Sequence, residues 1–386
     1  MNRAIYITGH KNPDTDSICA AIAYAHLKQS CGIDAIACRL GELNTETEFV
    51  LNKFKAPLPK LIHSARCKLS DIDMDQAELV SPDTTIKEAW DLIIRIKNKS
   101  LFVVDEQQRL IGVVSMSSLS NVLMSDFKNI REFMMKTPLS NIQKTLNATY
   151  IVKSDLYKSS GYVHILVSGD LADCEDVFEN SIVLLGNQPD IQKKAILQGA
   201  SCMIVIGNPQ VSEEIIDLAK ERDCSILSTP YDALQAARLI YQTPSIDNVM
   251  GLDVMVFHDR EFVDDVSDKM SKTRFRSYPV LDEHKRVIGA VSRFHLFNYE
   301  KKKLILLDHN ERSQSINDLE MAEVLEIIDH HRIGDIETSN PINFRNQQIG
   351  STCSIIATMY KEQGIEPTPT IAGLLCCAII SDTMNF

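Results

Sequence analysis

Short apolar runs ending in Gly, Asp or His alternate along this chain with segments whose apolar residues recur every three to four positions. That is the pattern of strands followed by amphipathic helices. Near the amino end the spacing predicts strands over 4–8 and 34–39, and helices over 16–30 and 45–54. Near the carboxyl end it predicts strands over 304–307 and 325–328, a short helix over 318–324, and helices over 351–363 and 369–379, the last running into Ser381 and Asp382. Neither end makes a convincing domain alone. Joined, they predict a doubly wound α/β domain with a parallel sheet, interrupted at a surface loop where a long insertion costs little.

The interrupting block contains a repeat. Residues 85–119 align without a gap on residues 262–296, with 11 of 35 positions identical, among them Ser100/Ser277, Asp105/Asp282, Gly112/Gly289 and Ser115/Ser292. Each copy reads as helix, strand (101–104; 278–281), polar turn, strand (111–114; 288–291) and the start of another helix. Between the copies, short strands end in Gly169-Asp170, in Gly186-Asn187-Gln188 and in Gly207-Asn208-Pro209. Helices are predicted over 189–198, 211–222 and 231–241, which together imply a small parallel sheet covered by helices. The repeat resembles the cystathionine-β-synthase-type (CBS) modules, which pair and bind adenine nucleotides in the cleft between them. The segment between the copies resembles, more loosely, the DRTGG domain. Many CBS modules carry an Asp three residues after the turn serine to hold ribose; here Ser118 and His295 stand there.

Composition narrows the class. The 386 residues carry 40 basic and 52 acidic side chains, a formal charge of −12. Backbone binding to nucleic acid needs clustered Lys and Arg, so that class is excluded. No apolar run reaches the roughly 20 residues that span a bilayer. Ten cysteines without a CxxC pair predict reduced, mostly buried thiols and a cytoplasmic protein.

The chemistry lies at strand ends. His10, Asp14 and Asp16 follow the first strand; Asp308 and His309 follow the strand over 304–307; Asp329, His330 and His331 close the next; Asp382 lies near the carboxyl end. In open α/β sheets such loops converge outside the carboxyl ends of the strands. Several carboxylates held in one crevice repel each other unless a cation relieves them or their pKa values rise. Mixed N/O ligation without cysteine points to Mn²⁺, Mg²⁺ or Co²⁺. The plainer role for an Asp after a strand is helix N-capping, open here to Asp16 and Asp382.

These blocks (GHKNPDTDSICAAIAYA, GELNTETEFVLNKF, LLDHNE, IDHH and IISDT) resemble the DHH phosphoesterase superfamily, and within it the family II manganese-dependent inorganic pyrophosphatases with inserted CBS modules. The resemblance implies a DHH domain in two parts (1–63 and 299–386), CBS modules at 64–124 and 249–298, and a DRTGG-like domain at 125–248. It implies His10 and Asp14 on one metal, Asp16, His330 and Asp382 on another, Asp308 bridging them, and His331 facing the substrate. Asp329 and His309 become supports for those ligands. The ion is Mn²⁺ or Co²⁺, with Mg²⁺ at the substrate. The reaction is hydrolysis of pyrophosphate, regulated by AMP, ADP, ATP or diadenosine polyphosphates. Candidate nucleotide contacts are Lys99, Ser100 and Ser115 in one copy and Arg276, Tyr278 and Ser292 in the other, Tyr278 stacking on adenine and Arg276 meeting phosphate. A homodimer is the default for paired CBS modules. The family continues into a second, substrate-binding domain after the SDT block, whereas this chain stops at Phe386; the expectation is metal binding with weak hydrolysis. Two other readings stand beside this one: a non-catalytic adenylate sensor, and a DHH phosphoesterase acting on a phosphodiester.

Overall fold

A computed structural model describes residues 4–96, 99–124, 127–166 and 178–384. Contacts divide the chain into two compact units, residues 1–73, 260–267 and 297–386 forming one, and residues 74–259 and 268–296 the other.

The first unit is built on one six-stranded sheet. Its strands are β1 (Ile5–Thr8), β2 (Ala35–Arg39), β3 (Lys60–Leu61), β4 (Lys303–Leu307), β5 (Glu323–Asp329) and β6 (Asn343–Asn346). The order is β6-β5-β4-β1-β2-β3 and every pairing is parallel. From β1 the chain moves outward one way through β2 and β3; from β4 it moves the other way through β5 and β6. The order therefore reverses between β1 and β4, the place where a crevice opens in such sheets.

Four helices lie on the sheet face lined by Ile7, Ala35, Ile305 and Leu307: α1 (Thr15–Ser30), α2 (Thr45–Phe54), α3 (Thr352–Glu362) and α4 (Pro369–Asp382). Helix α1 is buried around most of its circumference, between the sheet and helices α3 and α4. Its alanines at 20, 21, 23 and 25 permit that close approach. The opposite face, with Leu304, Leu306 and Ile327, is covered among the described residues by loops and 3₁₀ turns carrying Ala65, Ile316 and Leu319.

Gly9 makes the turn from β1 into the helix possible. A Cβ there would lie 2.6 Å from the Ser17 Cβ. Gly9→Ala is therefore expected to cost about 1–3 kcal/mol by overpacking, read as a lowered denaturation midpoint with an unchanged m-value.

Among the described residues the second unit holds three sheets. Two are three-stranded: Leu79–Val80, Ser100–Val104 and Leu110–Ser115 form one, Phe257–His258, Tyr278–Leu281 and Val287–Val291 the other. In each, a parallel strand joins an antiparallel hairpin. The repeated Asp and Arg build the same turn twice. Asp105 accepts from the Arg109 N–H at 2.8 Å and Nε at 2.7 Å; Asp282 does so from Arg286 at 2.9 and 2.8 Å. The third sheet has five strands, with Val163–Leu166, Ile182–Leu185, Cys202–Ile206 and Ser225–Thr229 parallel and Thr149–Val152 antiparallel at the edge. The strand expected to end at Gly169-Asp170 is described only through Leu166; those two residues lie outside the described part. The nine described cysteines are all free. Among the described residues no helix is long and apolar enough to cross a membrane.

Candidate metal centre and nucleotide cavity

The parallel register sets the ends of β1, β4 and β5 side by side. Thr8 pairs with Leu306, and Leu307 with Ile328. The residues that follow those strands therefore meet. His10 Nε2 lies 3.2 Å from Asp14 Oδ2 and 3.4 Å from Asp308 Oδ2. His330 Nε2 lies 3.3 Å from Asp308 Oδ1 and 3.5 Å from Asp382 Oδ2. Three groups each bring one ligand atom per residue within 4.8 Å of the others: His10, Asp14 and Asp308; Asp16, His330 and Asp382; and Asp308, His330 and His331. Asp308 belongs to two of the groups.

Local structure explains why these side chains point here. Asp14 is the N-cap of α1, accepting from the Ser17 N–H at 2.8 Å through Oδ1, which leaves Oδ2 for His10. The capping role open to Asp16 thus belongs to Asp14. Asp16 is the second residue of α1, buried, and reaches the amino end of α3. Its Oδ1 accepts from Ser351 Oγ at 2.7 Å and the Cys353 N–H at 3.0 Å, its Oδ2 from the Thr352 N–H at 2.7 Å. Asp382 is no N-cap either; it ends α4. Asp308 takes a left-handed backbone conformation, φ 64°, one that Asp tolerates better than most residues.

Asp329 is fully buried and organises the histidine pair. Its Oδ1 accepts from the N–H of His330 at 2.8 Å, the N–H of His331 at 3.1 Å and His331 Nδ1 at 2.8 Å. Its Oδ2 accepts from Asn310 Nδ2. Because a carboxylate only accepts, His331 carries a proton on Nδ1 and turns Nε2 away from Asp329. His330 Nδ1 lies 2.9 Å from the Ile349 carbonyl, which fixes Nε2 as its nitrogen toward the carboxylates. His309 does not support a ligand as expected. Its Nδ1 meets the Leu307 carbonyl at 2.8 Å and its Nε2 is buried without a partner. Burial pushes its pKa down to about 4, so it stays neutral.

The electrostatics are those of a cation site. Burial, then the neighbouring Asp308 charge, push Asp16 up to about 6 despite the hydrogen bonds from α3. Burial alone would lower His10, but its hydrogen bonds to Asp14 and Asp308 outweigh that and raise it to about 10. The Asp308 hydrogen bond, against the cost of burial, raises His330 to about 9. Burial works to raise Asp308, yet the hydrogen bonds from those two histidines hold it below the ordinary carboxylate range. Among the ion pairs of the described residues, no Lys or Arg reaches Asp14, Asp16, Asp308 or Asp382. Protons on the histidines supply the compensation that a divalent ion would otherwise give. The imidazole and carboxylate donors, without thiolate, fit Mn²⁺, Co²⁺ or Mg²⁺.

In the second unit a cavity of about 460 Å³ is lined by Lys99, Ser100 and Ser115 from one repeat and by Arg276 and Tyr278 from the other. Ser292 lies outside its lining and bonds His295 instead, its N–H donating to Nδ1 at 3.0 Å. Tyr278 is 1% exposed and packs against Phe257 and Phe275, so its ring has no free face for stacking. All four residues of its strand, Tyr278–Leu281, are buried. Two further residues matter that sequence reasoning missed. Arg274 lines the cavity beside Arg276. Arg293 donates to the carbonyls of Met270 at 2.7 Å and Phe275 at 3.1 Å, bracing the segment that carries both arginines. In the first unit Asn310, Ser351, Thr352 and Cys353 also went unread. Only the position of Ser351 before an apolar helix signalled its capping role.

The chain belongs to the DHH family: residues 4–379 match the family model described as "DHH family, N-terminal domain". It is 42% identical over 390 residues to the cobalt-dependent inorganic pyrophosphatase of Clostridium perfringens, covering 100% of this chain and 71% of that protein. It is 33% identical over 387 residues to a probable manganese-dependent inorganic pyrophosphatase of Thermotoga maritima, covering 99% of this chain and 70% of the other. Among solved structures it is similar to the CBS and DRTGG domains of the regulatory region of Clostridium perfringens pyrophosphatase, complexed with the activator diadenosine tetraphosphate. That similarity has a TM-score of 0.53 and 31% identity, over 59% of this chain and 100% of that one.

Proposed function

We propose that this protein hydrolyses inorganic pyrophosphate to two phosphates at a two-metal site, under the control of adenine nucleotides. The observation that carries it is the sharing of Asp308 between the His10–Asp14 group and the His330–His331 group. His10 and Asp14 would hold one ion, Asp16, His330 and Asp382 the other, with Asp308 between them. Bound Mn²⁺ or Co²⁺, with Mg²⁺ on the substrate, supplies charge neutralisation for the phosphoryl oxygens and a lowered pKa for water. The chain's own work is positioning. Asp329 holds His331, half-exposed, with Nε2 outward to meet a phosphate oxygen or give a proton to the departing phosphate. The similarity of this chain to 71% of a cobalt-dependent pyrophosphatase and 70% of a probable manganese-dependent one supports this substrate over a phosphodiester.

The cavity in the second unit is read as the regulatory site, between CBS modules at 64–124 and 249–298 that flank a DRTGG-like domain at 125–248. Lys99, Arg274 and Arg276 suit the phosphates of AMP, ADP, ATP or a diadenosine polyphosphate. The similarity to domains solved with diadenosine tetraphosphate supports it. A cytoplasmic homodimer completes the reading.

Phosphate release from pyrophosphate by the purified protein, with Co²⁺ or Mn²⁺ and again after chelation, tests it. Metal-dependent release is expected. Cleavage of a phosphodiester with pyrophosphate untouched, in the metal-loaded protein, would replace this reading with the alternative one.

A further inference from the structure

We infer that Thr352 is a positioning residue for the metal centre, setting the orientation of Asp308 through its hydroxyl. The inference rests on the two-metal reading above. Thr352 is fully buried at the first position of α3, and it touches both buried carboxylates. Its Oγ1 donates to Asp308 Oδ1 at 2.9 Å, and its backbone N–H donates to Asp16 Oδ2 at 2.7 Å. Thus one residue ties together side chains assigned to the shared position and to the second ion.

Three features give the hydroxyl its weight. Asp308 is in the left-handed region, so regular strand geometry does not dictate where its carboxylate points. Its backbone N–H is committed to the Ile328 carbonyl at 2.9 Å, which fixes the main chain but leaves the side-chain torsions free. The other side chains at its oxygens are His10 and His330, themselves assigned as ligands, and His331, whose Nδ1 lies 3.8 Å away and is committed to Asp329. Once those imidazoles are engaged, Thr352 is the hydrogen-bond donor that remains on Asp308 among the described residues. A carboxylate shared by two ions would have to present one fixed orientation to both. A fixed donor on Oδ1 restricts rotation about the carboxylate and preorganises that presentation.

The neighbouring turn is built to hold Thr352 still. Ser351 caps the helix and bonds Asp16, and the Cys353 N–H bonds both Asp16 and Ser351 Oγ. The amino end of α3 is therefore anchored on Asp16, and it carries the Thr352 hydroxyl to Asp308 as a rigid extension of that anchor.

Thr352→Val keeps the branched shape and removes the hydroxyl; Thr352→Ser keeps the hydroxyl and removes the methyl. Co²⁺ affinity, measured by chelator competition, and the visible absorption of bound Co²⁺ are followed in both, alongside thermal unfolding without metal. Loss of an outer hydrogen bond of this kind typically weakens metal binding by about 10–100-fold. That loss and a shifted Co²⁺ spectrum are expected for T352V, while T352S keeps the wild-type spectrum and an affinity within about threefold. If T352V does not fold, T352A against T352S makes the same comparison. Wild-type affinity and spectrum in T352V, or equal damage in T352S, would overturn the inference, as would a wild-type protein that binds no Co²⁺. Wild-type protein that binds two Co²⁺ ions yet leaves pyrophosphate intact would overturn the pyrophosphatase reading alone, because the spectral comparison is made without substrate.

Discussion

Asp308→Asn is expected to lower metal-dependent pyrophosphate hydrolysis by about 10³-fold, the upper range for losing one preorganised electrostatic group from an active site. The substitution is nearly isosteric. Asn accepts the left-handed backbone as readily as Asp, so the turn after β4 survives. Its amide oxygen can still accept from the Thr352 hydroxyl. What it loses is the charge and the second oxygen acceptor. In the present geometry the two Asp308 oxygens face different histidines, His10 at 3.4 Å and His330 at 3.3 Å. An amide offers one acceptor and one donor pair, and that donor would be driven against whichever imidazole or ion it faces. Both halves of the site are hit by one change. Phosphate release with saturating Co²⁺ measures the effect, and unfolding of the metal-free variant checks that the fold is kept. A D308N protein within about tenfold of wild type would remove Asp308 from its shared position, given how steeply such losses scale.

Much of this centre was legible because it is written in strand ends. A hydrophobic strand followed by Asp or His marks a carboxyl-end loop, and a parallel sheet gathers such loops. That logic located His10, Asp14, Asp16, Asp308 and His330 from segments some three hundred residues apart. It failed where the signal is not periodic. Strand β6, Asn-Phe-Arg-Asn, is a half-exposed edge with no apolar run, so nothing in its pattern separates it from loop. Thr352 is one more hydroxyl at a helix start until the fold sets it against Asp308. His309 shows the opposite error. Its place in an Asp-His-Asn block suggested a ligand support, but the left-handed turn at Asp308 sends its ring into the interior.

The same limit applies to the repeat, where identity of position was mistaken for identity of role. Ser115 and Ser292 match in sequence and each bonds the residue three further on, Ser118 in one copy and His295 in the other, yet only Ser115 lines the cavity. His295 reaches back to the Ser292 N–H and lies 3.6 Å from Asp75. The two halves are thus asymmetric, and the cations collect on one cavity. Tyr278 gives the fold its internal packing there, while the charge comes from Lys99, Arg274 and Arg276.

That asymmetry fixes the second large expectation. The double variant Arg274→Ala/Arg276→Ala should bind diadenosine tetraphosphate about 10²-fold more weakly. Each arginine–phosphate bond is charge-assisted and worth ~1.5–3 kcal/mol. Both side chains are exposed, so the lower end applies, and two such losses give about 3 kcal/mol, or roughly two powers of ten. Tyr278→Phe should change affinity little, since the hydroxyl it removes is occupied by Thr273. Calorimetric titration of the nucleotide into wild type and both variants separates the arginine charge from the Tyr278 hydroxyl. If the salt dependence of binding is also recorded, the arginine variant should show the shallower slope, because fewer phosphate charges are neutralised by the protein. Unchanged affinity in the double variant would move the phosphates away from this cavity edge, and a large loss in Y278F would return the Tyr278 hydroxyl to the nucleotide.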